Sequence, residues 1–162
     1  MHVQLYKKCF KINGFLKRLG FFVWRALRRR LPMLLELDKR GIDLHSVGCL
    51  LCNDDIESVD HSLSTCKDVL EAWCKMFDWW GFGGMSNDNI VELLKGNVWQ
   101  INSDVRKNIW QAVTWTCAYL IWKNRNQKFL KSKSWNVLIA SSEIQVKSFE
   151  SIAKRCKQKS ID

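Results

Sequence analysis

The chain has 162 residues, 47% hydrophobic and 12% aromatic, with nine tryptophans and one proline, enough for one ordinary domain, or one domain with a helical extension, and too apolar for wholesale disorder. Its net charge of +10 is unevenly placed: residues 1–40 carry eleven Lys/Arg against two acids, residues 41–100 three against ten, and residues 101–162 twelve against four, so two basic segments flank an acidic middle. Seven cysteines, an odd number, and an N-terminus without an apolar secretory pattern fit a disulfide framework poorly, so reduced thiols are expected, and the longest nearly apolar run, residues 109–122, is short of the roughly 20 residues needed to span a bilayer.

In chain order, residues 15–31 project onto a helix with Leu16, Leu19, Phe22, Val23, Ala26, Leu27 and Leu31 on one side. Lys17, Arg18, Arg25, Arg28 and Arg29 share an arc on the other, interrupted by Phe21. Pro32 stops that helix and suits the first position of the next, residues 33–40, which Gly41 closes. Residues 48–60 read as a loop. Asp68 with Glu71 resembles a capping box opening a helix whose apolar face is Val69, Trp73, Met76 and Trp80, and which ends at Gly81.

After a glycine-rich link the pattern predicts a short helix over residues 90–95 and a long one over about 104–130. A last helix starts near residue 134. It repeats Trp135, Ile139, Ser142, Val146, Phe149, Ala153 and Cys156 at spacings of four and three, a heptad seam expected to pack on the chain's own long helix. No strand is expected. The fold class is all-α, a small helical domain followed by a C-terminal helical hairpin. The expected divisions are 1–14 as an N-terminal remnant, 15–83 as the first domain and 84–162 as the helical extension.

The candidate site is Cys49 and Cys52, two residues apart, followed by His61 and Cys66. Two thiolates on a tight turn, with a third thiolate and an imidazole, make a closed tetrahedral Cys₃His set that suits one structural zinc ion and leaves no position for a catalytic water. His45 and Cys74 are the substitutes, read instead as a surface residue and a core residue. The acids between the ligands, Asp54, Asp55, Glu57 and Asp60, read as a solvated loop.

At these residues the sequence resembles a known family. Phe22-Val-Trp24-Arg25-Ala-Leu27, Arg30-Leu31-Pro32 and Arg40-Gly41-Ile42, then the Cys49/Cys52/His61/Cys66 set with Glu57 ahead of the histidine, look like the reverse-transcriptase zinc-binding domain of plant non-LTR, LINE-type retrotransposon polyproteins. Trp122-Lys-Asn-Arg125-Asn126 is similar to a tryptophan–Arg–Asn motif downstream in such proteins. The resemblance implies that the four ligands are functional, and that Trp24, Leu27, Leu31 and Pro32 are packing residues.

Polymerase and endonuclease motifs are absent from the sequence. Neither tyrosine is followed by paired aspartates, and there is no phosphate-binding loop and no HExxH. The expected chain is no enzyme and takes no small-molecule substrate. The basic stripe of Lys17, Arg18, Arg25, Arg28, Arg29 and Arg30 suits phosphate contacts with RNA or DNA. The alternatives are a protein-interaction module working through the helical seam and a relic of the element. Residues 122–126 read as a core ring followed by a polar helix end. A monomer is expected, without a membrane, intracellular and nuclear rather than cytoplasmic, not secreted.

Overall fold

The computed structural model describes residues 14–83, 89–95 and 103–159; the expected N-terminal segment lies almost wholly outside them. The elements are α1 (Gly14–Leu27), α2 (Leu34–Asp38), one π-helical turn (His61–Thr65), α3 (Lys67–Trp79), α4 (Ile90–Lys95), α5 (Asp104–Lys131) and α6 (Val137–Lys159). Among the described residues the β pairing is an isolated antiparallel bridge between Gly48 and Ile56. The all-α expectation holds.

Helix α1 buries Leu19, Phe22, Val23 and Ala26 and leaves Lys17, Arg18 and Phe21 exposed. It ends at Leu27, short of the expected residue 31. Arg29 adopts a left-handed φ of 51°, and the Arg30 N–H donates back to the Arg25 carbonyl at 2.8 Å, a helix-ending arrangement usually built on glycine. The reason lies just downstream. Pro32 disfavours helical backbone at Leu31, and Leu31 and Met33 turn inward to complete burial. Arg28, Arg29 and Arg30 therefore stand on the turn after α1. Gly41, at φ 81°, closes the α2 segment as expected.

Helix α3 begins at Lys67 with Cys66 as N-cap and no side-chain cap bond, so the expected Asp68/Glu71 capping box does not form. Its apolar face is as expected: Val69, Trp73 and Met76 are buried, and the Trp73 indole donates to the Leu63 carbonyl at 2.8 Å. Cys74 is exposed, contrary to its expected core position, because it lies on the side of the helix away from the buried Val69, Ala72 and Met76. Gly81, at φ 74°, ends the segment, with the Phe82 N–H bonded to the Phe77 carbonyl.

One core joins these pieces. Helix α5 packs against α1, α4, α6 and the π turn, and α6 also packs on α3. Trp110 is met edge-on by Phe77 and Phe82 at 5.1 and 4.9 Å between centroids. Phe22 of α1 meets Tyr119 and Trp122 of α5, each at 5.5 Å, and the Trp115 indole donates to the Leu94 carbonyl at 2.7 Å. Trp122 is thus a packing ring, as expected.

Helices α5 and α6 form the expected hairpin, but α6 uses a different face. Ala140, Ser141, Ile144, Ser148 and Ser151 are buried, whereas Ile139, Ser142, Val146, Phe149 and Ala153 are exposed. The small buried serines explain the exchange. Ser141 and Ser151 return their hydroxyls to backbone carbonyls four residues earlier, which lets α6 lie close to its neighbours. The seam positions Ile139, Ser142, Val146 and Phe149 stay outside, with Phe149 meeting Trp79 at 5.4 Å, whereas Trp135 at the start of the seam packs against the core.

Candidate metal centre

The four expected ligands converge. Cys49, Cys52, His61 and Cys66 offer ligand atoms that all lie within 4.8 Å of one another. The first pair sits on a tight knuckle: Cys49 N–H donates to the Asp55 carbonyl at 2.7 Å, and Asn53 N–H donates to the Cys49 carbonyl at 3.0 Å, with Asn53 at a left-handed φ of 58°. The Asp54 N–H points at Cys52 Sγ at 3.5 Å. The second pair stands at the two ends of the π turn, closed by the Cys66 N–H on the His61 carbonyl at 2.9 Å. That widened turn sets four residues between His61 and Cys66 and releases Cys66 to open α3; such turns concentrate at functional sites.

The spacing of the donor atoms fits zinc. Tetrahedral bonds of about 2.3 Å to sulfur and 2.0–2.1 Å to nitrogen place two sulfurs about 3.8 Å apart and a sulfur and a nitrogen about 3.6 Å apart. Cys49 Sγ and Cys66 Sγ are 3.9 Å apart, and Cys52 Sγ lies 3.3 Å from His61 Nε2. All four residues are buried. The sulfur–sulfur hydrogen bond with Cys66 holds the Cys49 pKa down at about 5, while the same bond and burial push Cys66 up. Deprotonated sulfur is the form a metal requires.

In the acidic loop Asp54 and Asp55 are exposed, as expected, whereas Asp60 is half-buried and Glu57 is wholly removed from solvent. Asp55 Oδ2 stands 3.5 Å from His61 Nδ1, on the side of the ring away from the cysteines, where a carboxylate orients a ligating histidine. Asp54 pairs with Lys67 and Asp60 with Arg29 at 2.6 Å. Glu57 is fully buried. It accepts the Leu34 N–H at 3.0 Å and receives the guanidinium of Arg125, whose Nε is 2.9 Å from Oε1 and whose second nitrogen meets Oε2. Phe129 lies against the same guanidinium, 5.3 Å from its ring centroid, and Asn126 Oδ1 accepts from Arg125 at 2.9 Å. Sequence reasoning missed this ion pair: Glu57 and Arg125 stood out only within separate motifs, and no local spacing joins residues 68 apart.

The basic residues lie together on and just beyond α1, with Lys17, Arg18, Arg28, Arg29 and Arg30 exposed and Arg25 half-buried. They are not equivalent. Arg29 is held by Asp60, and Arg25 donates to the Arg30 carbonyl at 3.0 Å, satisfying an orphan acceptor past the helix end.

His45, the possible substitute ligand, is an exposed residue outside the cluster. Among the described residues no helix is long and apolar enough to cross a membrane. Compared with known proteins, residues 2–73 match the family described as zinc-binding in reverse transcriptase, which is the resemblance carried by the sequence motifs. The matched range contains all four ligands. No curated protein and no solved structure matches the chain.

Proposed function

We propose that this chain, whose residues 2–73 are similar throughout to the zinc-binding domain of reverse transcriptases, holds one structural zinc ion and presents a basic face to RNA or DNA. The convergence of three cysteines and one histidine within 4.8 Å carries the metal reading. Bound there, zinc supplies cross-linking between the knuckle, the π turn and the start of α3, and its four protein ligands leave no site for a reacting water. The expected outcome is one zinc per chain by metal analysis of protein purified under reducing conditions. Cys49→Ser and Cys66→Ser should each lose metal and expose core tryptophans, since such sites contribute folding energy directly. Full zinc and native fluorescence in either variant would refute the assignment.

The nucleic-acid reading rests on Lys17, Arg18, Arg28 and Arg30, exposed on one side of the molecule. Arg29 contributes chiefly through Asp60. Phosphate contacts by these side chains release counterions, so affinity should fall steeply with salt and depend little on sequence. The zinc organises the knuckle and the π turn and leaves the basic flank to bind.

A second reading, a protein-interaction module, is favoured by one observation, the exposed seam of α6 along Ile139, Val146 and Phe149. Sedimentation at micromolar concentration tests it: a self-associated species dissolved by Val146→Glu supports that reading, and a monomer removes self-association from it.

A further inference from the structure

On the polar side of α1 there is an aromatic surface that phosphate contacts alone leave unexplained. Phe21 is 53% exposed, while Leu19, Phe22, Val23 and Ala26 around it on the helix are buried. Trp24, half-buried, stacks with it at 5.9 Å between centroids and 23° between planes. Three guanidinium groups stand over these rings: Arg25 lies 5.8 Å from the Phe21 centroid, and Arg28 and Arg30 lie 5.9 and 5.7 Å from that of Trp24. No acid among the described residues pairs with Arg28 or Arg30, in contrast to Arg29.

We infer that Phe21 and Trp24, ringed by Arg25, Arg28 and Arg30, form a stacking platform for unpaired bases, so that this face binds single-stranded nucleic acid in preference to duplex. The inference rests on the nucleic-acid reading above and adds to it the strandedness of the ligand. An exposed phenylalanine is costly to hydrate, and the contacts of Phe21 with Trp24 and Arg25 leave half of it in solvent. Every base has a π-face, so a ring here accepts any base and gives no sequence preference. A duplex keeps its bases stacked on one another and offers the ring nothing.

The arginines fit the same purpose. Arg25 is engaged with the Arg30 carbonyl, but a guanidinium such as that of Arg28 or Arg30 beside an aromatic ring keeps N–H groups for a phosphate oxygen, and its plane is itself a surface on which bases stack. Holding it there in advance reduces the ordering needed on binding. Phe21, which interrupts the arc of basic residues in the sequence, is therefore the residue that gives the arc its preference for single strands.

The test is fluorescence anisotropy of the full zinc-loaded chain with labelled oligo-dT and oligo-U of equal length and with a blunt duplex, each across a salt series. The wild type should bind both single strands more tightly than the duplex. Phe21→Ala should weaken single-strand binding by about tenfold, within the range for loss of one stacked base. It should leave the duplex affinity and the salt slope unchanged, and Phe21→Trp should restore single-strand affinity. Arg28→Gln with Arg30→Gln should instead weaken all three ligands and flatten every salt plot. Because Phe21 is exposed, Phe21→Ala should retain the far-UV circular dichroism of the wild type. Unchanged single-strand affinity in Phe21→Ala, with the arginine effect intact, would overturn the platform and leave the charge-based reading standing. Absence of binding to all three ligands would overturn both.

Discussion

The Glu57–Arg125 pair shows how much of the centre depends on single side chains outside the ligand set. Glu57 lies in the chain between Cys52 and His61, and both members of the pair are buried. Removing one partner of such a pair leaves a charge in the interior without compensation, at a cost of about 3–5 kcal/mol. Arg125→Ala should therefore lower unfolding free energy by about that amount in chemical denaturation. Glu57→Gln combined with Arg125→Met should recover part of the loss, because the amide still accepts from Leu34 and no net charge remains buried. Equal losses in the single and double variants would mean that packing around Phe129 matters more than the charge. The cysteines outside the centre give a second residue-scale expectation. Burial pushes the Cys117 thiol well above its ordinary range, whereas Cys74 is exposed. In native protein at neutral pH, mass spectrometry after brief alkylation should find Cys74 modified and Cys117 intact; modification of Cys117 first would show that α5 opens readily.

At the scale of elements, legibility followed the kind of signal each element carries. The ligand set was readable because metal spacing is local, and α4 and α5 were readable because their ends fall where the apolar pattern stops. The end of α1 was misplaced because a continuing apolar pattern through Leu31 hid a turn at Arg29, which uses arginine where glycine is usual. The face of α6 was misjudged for a related reason. Heptad spacing ranked Ile139, Val146 and Phe149 above the serines, yet close helix contact selected the small residues 141, 148 and 151. This reversal makes an element-scale prediction. Ile139→Lys and Val146→Lys should each change stability by no more than about 0.5 kcal/mol, as for ordinary surface positions. Ile144→Ala, at a fully buried position, should cost about 2–5 kcal/mol. Comparable losses at Val146 and Ile144 would place the seam inside the fold.

For the whole molecule, the buried residues form one cluster running from Leu19 through the metal knuckle to Ile144. The sequence division at 83/84 therefore marks a change of motif within a shared core. A chain ended after residue 83 keeps all four ligands but loses Arg125 from Glu57 and Tyr119 and Trp122 from Phe22. Such a fragment should bind zinc more weakly than the full chain in competition with a chromophoric chelator, and should show broad amide resonances; equal affinity would make the C-terminal helices dispensable to the centre. The 68 residues that separate Glu57 from Arg125 also set a sequence of events in time. A ribosome adding about 5–20 residues per second releases Arg125 roughly 3–14 s after Glu57, whereas Cys66 emerges within a second or two of it. The nascent chain thus holds a complete set of ligands for several seconds before the guanidinium arrives, so the order of synthesis leaves the ion pair to close only after all four ligands are present.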